Sequence, residues 1–82
     1  MEIRQIDNIL NKLKNKEDFK HIVINCDNAI ITIEKEHIYF TQNNEYIIVV
    51  NYYNGTRKTT MTTKKQDIVK ILKQFNFVDC SQ

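Results

Sequence analysis

The chain has no proline, no tryptophan and only one glycine among its 82 residues. The glycine, Gly55, follows Asn54 in a dipeptide typical of a hairpin turn, so there is no glycine-rich loop that could hold a phosphate group. The length permits one small domain, 1–82, and excludes a multidomain enzyme or a cofactor fold of the Rossmann or barrel kind.

Long apolar runs and cysteines are equally scarce. No apolar run approaches the roughly 18 residues that a membrane span needs, and the N-terminal residues lack the apolar core of a signal peptide. We therefore expect a cytoplasmic protein without a membrane partner. The two cysteines, Cys26 and Cys80, form no CxxC motif. We expect reduced thiols, with a single disulfide between them as the alternative.

The sequence also lacks a set of residues arranged for catalysis. Cys26 alternates toward the expected core, where a thiol is an inert small apolar group, and Cys80 is close to the last residue. The acidic residues are scattered along the chain. We therefore expect no enzymatic activity, no catalytic residues and no cofactor.

Apolar side chains at helical spacing are present at both ends of the chain. Residues 1–16 carry the first such series, which consists of Ile3, Ile6, Ile9, Leu10 and Leu13. A second series runs through Ile68, Ile71, Leu72 and Phe75, after a capping-box pattern from Thr63 to Gln66. These patterns predict amphipathic helices over 1–16 and 64–75.

Between the helices the apolar period changes to two, which is typical of strands. The pattern predicts five strands, at 20–26, 29–34, 37–42, 45–53 and 56–62. The turns between them are two residues each, at Asp27–Asn28, Lys35–Glu36, Asn43–Asn44 and Asn54–Gly55. Of these, Lys35–Glu36 suits such a turn least well. The predicted fold is α+β, with a helix, an antiparallel meander of order 1-2-3-4-5 and a helix, both helices lying on one sheet face.

Two-residue turns fix the register, and the register assigns side chains to faces. The predicted core face consists of Ile22, Ile24, Ile31, Ile33, Ile38, Phe40, Ile47 and Val49. The opposite face would then expose apolar residues, tyrosines and an arginine, a composition common at recognition surfaces. Its predicted partner-binding residues are Tyr39, Tyr46, Ile48, Val50, Tyr52, Arg57 and Met61. The alternatives are that one helix covers each face, or that tyrosines line a solvated sheet.

The same register aligns His21, Glu34 and His37 in one row across three strands. Two imidazoles and a carboxylate are a weak candidate for a transition-metal site. Solvated side chains and salt links at a sheet edge are commoner, so we expect no metal.

Positive charge is concentrated toward the C-terminus. Residues 21–55 carry one basic and four acidic groups, whereas 56–82 carry six and two. Cations beside aromatic rings can hold a single-stranded nucleic acid, and the candidate contacts are Tyr53, Arg57, Lys58, Lys64 and Lys65. The alternative is an ordinary solvated helix face. The final hairpin and helix, 45–75, resemble the single-strand-binding modules of some transcriptional coactivators, although the long first helix departs from their pattern.

The sequence favours a non-enzymatic protein-binding module that docks a Tyr-rich sheet face and a basic last hairpin onto a protein partner. A small phage or mobile-element inhibitor of a host defence protein would fit this size and lack of motifs. The alternative function is a single-stranded nucleic-acid-binding protein, expected as a dimer. A homodimer interface with no outside ligand is a further use for the same face.

Overall fold

The computed structural model describes residues 1–14 and 19–78. It confirms an α+β fold with an N-terminal helix, an antiparallel sheet and a C-terminal helix. The elements are α1 (Ile3–Lys12), β1 (Phe19–Asn25), β2 (Ala29–Ile38), β3 (Asn43–Tyr52), β4 (Arg57–Thr62) and α2 (Lys65–Leu72). The strand order is β1-β2-β3-β4, so neighbouring strands in the sheet are also neighbours in the chain.

The predicted fifth strand is absent from the described residues, because β2 runs without a break through the predicted turn at Lys35–Glu36. The chain reverses instead at residues 39–42, where the Thr41 amide donates to the Ile38 carbonyl at 3.2 Å. Gln42 adopts the left-handed region with φ of 60°, and its side-chain amide donates to the Tyr39 carbonyl at 2.6 Å. A Lys-Glu pair adopts positive φ poorly, so a longer turn replaces it.

Moving this turn exchanges the two faces of β3. Ile33 pairs with Ile48, and Ile31 pairs with Val50. Side chains alternate along a strand, so Ile48 and Val50 enter the core while Ile47 and Val49 face the other side. The predicted placement of Ile47 and Val49 in the core is therefore wrong. Two other predicted core residues move to the new turn region, since Ile38 ends β2 and Phe40 is 98% exposed.

Both helices pack against a single apolar cluster on one side of the sheet. Three of its buried residues come from α1 and the residue after it, and three from α2 and the segment that follows. The full set is Ile6, Ile9, Leu13, Ile24, Cys26, Ala29, Ile31, Ile33, Tyr46, Ile48, Val50, Ile68, Leu72 and Phe75. On the same side, Lys35 is only 2% exposed and pairs across the strands with Tyr46.

The second helix begins differently from the predicted capping box. The Thr62 hydroxyl donates to the Asp67 carboxylate at 2.5 Å and accepts the Lys64 amide at 3.0 Å. A Thr63 cap with Gln66 is therefore not the observed arrangement. Asp67 lies in the first turn of α2, where a negative charge is favourable to the helix dipole. The end of β4 and the start of α2 are held together by these contacts.

The segment after α2 extends the sheet at its outer edge. Phe77 forms an isolated antiparallel bridge with Cys26, and the Val78 amide donates to the Asn25 carbonyl at 2.9 Å. The Asp27 amide donates to the Asn76 carbonyl at 3.1 Å. Phe77 and Val78 stay partly exposed beside β1.

Two adjacent isoleucines test the register. Ile48→Ala removes a fully buried side chain and should lower the free energy of unfolding by about 2–5 kcal/mol. Ile47→Ala truncates a half-buried side chain on the opposite face and should cost about 1 kcal/mol. Urea denaturation of both variants measures the difference. A larger loss for Ile47→Ala than for Ile48→Ala would restore the register with a turn at Lys35–Glu36.

Candidate binding face of the sheet

The sheet face opposite the core is called the open face below. Both helices pack on the other side, so the open face carries the side chains that alternate away from the core. Its members are His21, Val23, Asn25, Ile30, Thr32, Glu34, Glu36, Glu45, Ile47, Val49, Asn51, Arg57, Thr59 and Met61. Most of its apolar members belong to its central rows.

An apolar band crosses the middle of the open face. One row runs from Val23 through Thr32 and Val49 to Thr59, each residue being the cross-strand partner of the next. The adjacent row runs from His21 through Glu34 and Ile47 to Met61, so on β2 the band is interrupted by Thr32 and the Glu34 carboxylate. Val23 is 56% exposed and Met61 is 63% exposed. Contiguous exposed apolar surface of this kind marks interaction sites in soluble proteins.

The two ends of the open face carry opposite charge. At one end Glu36 and Glu45 are direct cross-strand partners, a like-charge arrangement that destabilises a sheet on its own. At the other end the Arg57 Nε donates to the Asn51 side-chain oxygen at 2.9 Å. This bond orients the guanidinium. Positions 45 and 51 of β3 are six residues apart, which is about 20 Å along the strand.

The predicted partner-binding residues do not lie on one surface of the protein. Tyr46, Ile48 and Val50 are buried in the core, so their predicted exposure on an open sheet face is wrong. Tyr52 is half-buried, with its ring 5.9 Å from that of Phe75. The physical reason is the shifted turn, which sends the even-numbered residues of β3 inward.

The remaining three predicted residues are exposed. Arg57 and Met61 lie on the open face as expected. Tyr39 lies in the turn after β2, where its ring contacts that of His37 edge-on, with 4.8 Å between centroids. The open face therefore contains aliphatic, polar and charged side chains, and no tyrosine is among its described members.

Sequence reasoning missed Ile47 and Val49 as members of this face. The pattern that could have placed them is the alternation of core-facing residues from Ala29 to Ile33. It continues to Lys35 if a lysine is accepted at a buried position, and β2 then extends to Ile38. In the sequence, a lysine at a position where an apolar residue is expected favours the end of a strand. Burial of Lys35 is thus the feature that concealed the true length of β2.

The weak metal candidate is not assembled. His21 and Glu34 are direct cross-strand partners on the open face. His37 lies an odd number of residues from Glu34, so it alternates to the other side, where its Nδ1 is 2.8 Å from the Asn44 side-chain oxygen. Within residues 1–14 and 19–78, no three His, Cys, Asp or Glu side chains are grouped to hold a metal ion.

The predicted nucleic-acid contacts are exposed but spread over several surfaces. Arg57 points from the open face, whereas Lys58 alternates to the other side of β4. Lys64 and Lys65 follow the far end of β4, about 20 Å away along the strand. Tyr53 is exposed after β3, and its hydroxyl donates to the Cys26 carbonyl at 3.5 Å.

A groove of about 410 Å³ separates α1 from the edge strand β1. Apolar side chains from both elements line it, together with Phe77 and Val78. Among the described residues that line it, Lys12 is the one titratable side chain.

Cys26 is 2% exposed and forms no disulfide. Burial raises the pKa of its thiol above the ordinary value of 9.0, and the negative charge of Asp27 raises it further. The thiolate is the reactive form, so Cys26 is a poor nucleophile. Cys80, the partner in the alternative of a single disulfide, lies outside the described residues.

The reactivity of this thiol can be measured after Cys80→Ser leaves Cys26 as the single cysteine. Folded protein should react with a disulfide reagent at pH 8 at least about tenfold more slowly than unfolded protein. The unfolded chain approaches its maximal rate above pH 9, while the folded protein should still be gaining thiolate there because the pKa of Cys26 is raised. Equal rates in the two states at pH 8 would show that Cys26 is accessible.

Among the described residues, neither helix is long enough and apolar enough to cross a membrane. A scan against models of protein families, a search of curated proteins and a search of solved structures each found no match to this chain.

Proposed function

We propose that this protein is a non-enzymatic protein-binding module whose contact surface is the open face. The observation that supports the proposal is the exposed apolar surface that Val23 of β1, Ile47 and Val49 of β3 and Met61 of β4 form on a sheet face opposite both helices. A monomer normally covers or interrupts such a surface, because contiguous apolar area is costly to hydrate.

The composition of the face suits a protein partner. Val23 and Met61 supply exposed apolar area at the two edge strands, and Ile47 and Val49 extend the area of Met61 onto β3, with Thr32 and Glu34 of β2 between them and Val23. A flexible methionine adapts its shape to different apolar partners. Arg57 is already oriented by Asn51, so it loses less conformational entropy on pairing with a carboxylate than a free arginine would.

A matched pair of lysine substitutions tests this surface. Met61→Lys places a charge in the apolar band, and Ile3→Lys places the same charge on α1 at a site of similar exposure, 58% against 63%. The immobilised chain should capture a protein from lysates of its own cells, and Met61→Lys should reduce that capture by at least about tenfold. Capture by Ile3→Lys should match the unsubstituted chain.

The control variant decides the interpretation. Both substitutions replace an exposed apolar side chain, so both should leave the melting temperature nearly unchanged. If Met61→Lys retains capture, or if both variants lose it equally, the open face is not the contact surface.

The second candidate function, binding of single-stranded nucleic acid, is favoured by the exposed cations of β4 and α2. In the described part of residues 57–78, six basic residues face one acidic residue, Asp67. Against this, Tyr52 is turned inward toward Phe75, which leaves Tyr53 as the exposed ring of that pair. Stacking platforms supply much of the affinity for single strands, so the protein partner is favoured.

Titration of a fluorescent single-stranded oligonucleotide separates the two functions. Electrostatic attraction to phosphate is strongest at low salt, so a nucleic-acid binder must show binding there that weakens steeply as salt rises. We expect no saturable binding at low salt. Saturable binding that is lost on replacing Lys64 and Lys65 with glutamate would establish the nucleic-acid function instead.

A further inference from the structure

We propose that this protein binds a phosphate group, free or as a monoester, in an open concavity between residues 42–44 and the N-terminus of α2. The concavity is on the side of the sheet that carries the helices, so the inference does not rest on the function proposed for the open face. Its volume is about 610 Å³, within the range of small-molecule sites. Among the described residues that line it, none carries a carboxylate, whereas amide, hydroxyl and amine side chains are all present.

The register places two of the lining side chains next to the start of α2. Asn44 and Tyr46 alternate to the helix side of β3, and Tyr46 is the cross-strand partner of Thr62 at the end of β4. Thr62 holds the start of α2 in place, because its hydroxyl bonds both the Lys64 amide and the Asp67 carboxylate. The base of the concavity therefore belongs to the sheet, and its rim is the first turn of α2.

The first turn of α2 has backbone donors without a cap. Lys64 is the N-cap residue, and a lysine side chain has no oxygen that could accept a backbone N–H. The Asp67 amide donates to the Lys64 carbonyl at 3.1 Å. The amides of Lys65 and Gln66 have no acceptor within the helix and no capping side chain. Backbone donors placed in this way at a helix N-terminus bind anions.

Two lysines, Lys64 and Lys65, add positive charge at this end of α2. The N-terminal end of a helix is already electropositive, so cations there are unfavourable unless an anion is close. Asp67 offsets part of the charge, but its carboxylate is bonded to Thr62 and lines a separate concavity with Glu45 and Lys64. Lys64 is shared between the two concavities, while Lys65 lines the one without a carboxylate. A bound anion would remove this unfavourable charge.

The Tyr46 hydroxyl distinguishes this place from an ordinary helix end. Tyr46 is only 2% exposed, yet its hydroxyl forms no hydrogen bond with any described residue. No side-chain polar atom in the described part of the chain is both fully buried and unpaired, so this hydroxyl reaches the concavity that Tyr46 lines. A nearly buried tyrosine normally has a partner for its O–H group. Here that partner is solvent or a ligand.

The donors that border the concavity match a phosphate group. They are the backbone amides of Lys65 and Gln66, the Tyr46 hydroxyl and the Lys65 ammonium. The side-chain oxygen of Asn44 is engaged by His37 Nδ1 at 2.8 Å, which leaves the Asn44 amide nitrogen to donate as well. A phosphate monoester presents three acceptor oxygens and close to two negative charges at pH 7. Hydrogen bonds between charged and polar groups of this kind are the stronger ones in proteins.

Titration of the labelled full chain, followed by amide NMR, tests the site with two probes, inorganic phosphate and O-phosphoserine. Ionic strength is held constant with chloride. We expect saturable shifts concentrated at the amides of Lys65 and Gln66, with a dissociation constant of about 1 mM for phosphate. Phosphoserine binding at least about threefold more tightly assigns a monoester, whose remainder lies over the neighbouring amide side chains. Equal or weaker binding of phosphoserine assigns the free ion.

Three substitutions separate a built site from diffuse charge. Tyr46→Phe removes a hydroxyl without a protein partner, so it should leave the melting temperature unchanged while raising the dissociation constant at least about threefold. Lys65→Gln should raise it at least about fivefold. Lys70→Gln makes the same charge change at an exposed site later in α2, and its dissociation constant should stay within about twofold of that of the unsubstituted protein.

The inference is overturned if phosphate causes no saturable shifts up to about 30 mM, or if Lys65→Gln and Lys70→Gln weaken binding equally. It also fails if Tyr46→Phe lowers the melting temperature and leaves the affinity unchanged, because the hydroxyl would then serve the fold alone. A single-stranded oligonucleotide without a terminal phosphate should not compete, since each diester group carries one negative charge. Displacement of phosphate by this oligonucleotide would assign the lysines to a nucleic-acid backbone instead.

Discussion

The pairing of β2 with β3 is the interaction on which the other contacts depend. Because β2 continues to Ile38, Ile33 meets Ile48 and Ile31 meets Val50 over the centre of the sheet. These four side chains form the layer on which both helices pack. A shift of one residue in this pairing would send every side chain of β3 to the opposite face, so the register fixes the core and the surface together.

That register carries a cost at Lys35. The aliphatic stem of a lysine packs well against apolar side chains, but a buried amine must keep a polar or charged partner. Lys35 is placed on the core side by the length of β2 and opposite Tyr46 by the register. The apolar contacts along the rest of the strand offset that cost, since fully burying each isoleucine contributes roughly 1.5–3 kcal/mol.

The function proposed for the open face follows from the same pairing. Tyr46, Ile48 and Val50 are buried in the core. The other side of the sheet carries a shorter aliphatic band, with threonines between its apolar groups. Glu36 and Glu45 lie at one end of that face and Arg57 at the other, and Glu34 lies between them beside His21. Such a surface selects partners by shape and end charge more than by aromatic anchors.

The chemistry of individual residues is constrained by their neighbours in the fold. Cys26 is inert because burial and Asp27 both favour the protonated thiol. His21 and His37 cannot act together because a continuous β2 sends His37 to the other side from Glu34. The basic residues of the last hairpin and α2 lie on different surfaces, because successive side chains of β4 point in opposite directions.

The sequence by itself determined the helices at both ends, the antiparallel strands between them and the turn at Asp27–Asn28. These depend on local periodicity and on backbone conformations that few residues adopt, and both are readable within a short window. The two-residue turn expected at Asn54–Gly55 is instead a three-residue loop, 53–55, because Asn51 pairs with Arg57 and the Tyr52 amide donates to the Thr56 carbonyl. This shift of β4 by one residue, together with the exchanged faces of β3, leaves Arg57 and Met61 on the open face. Only the tertiary structure decided which half of β3 is buried, because that depends on whether Lys35 ends a strand or enters the core. Burial of one long, charged side chain is decided by the contacts of the whole sheet, which no local pattern contains.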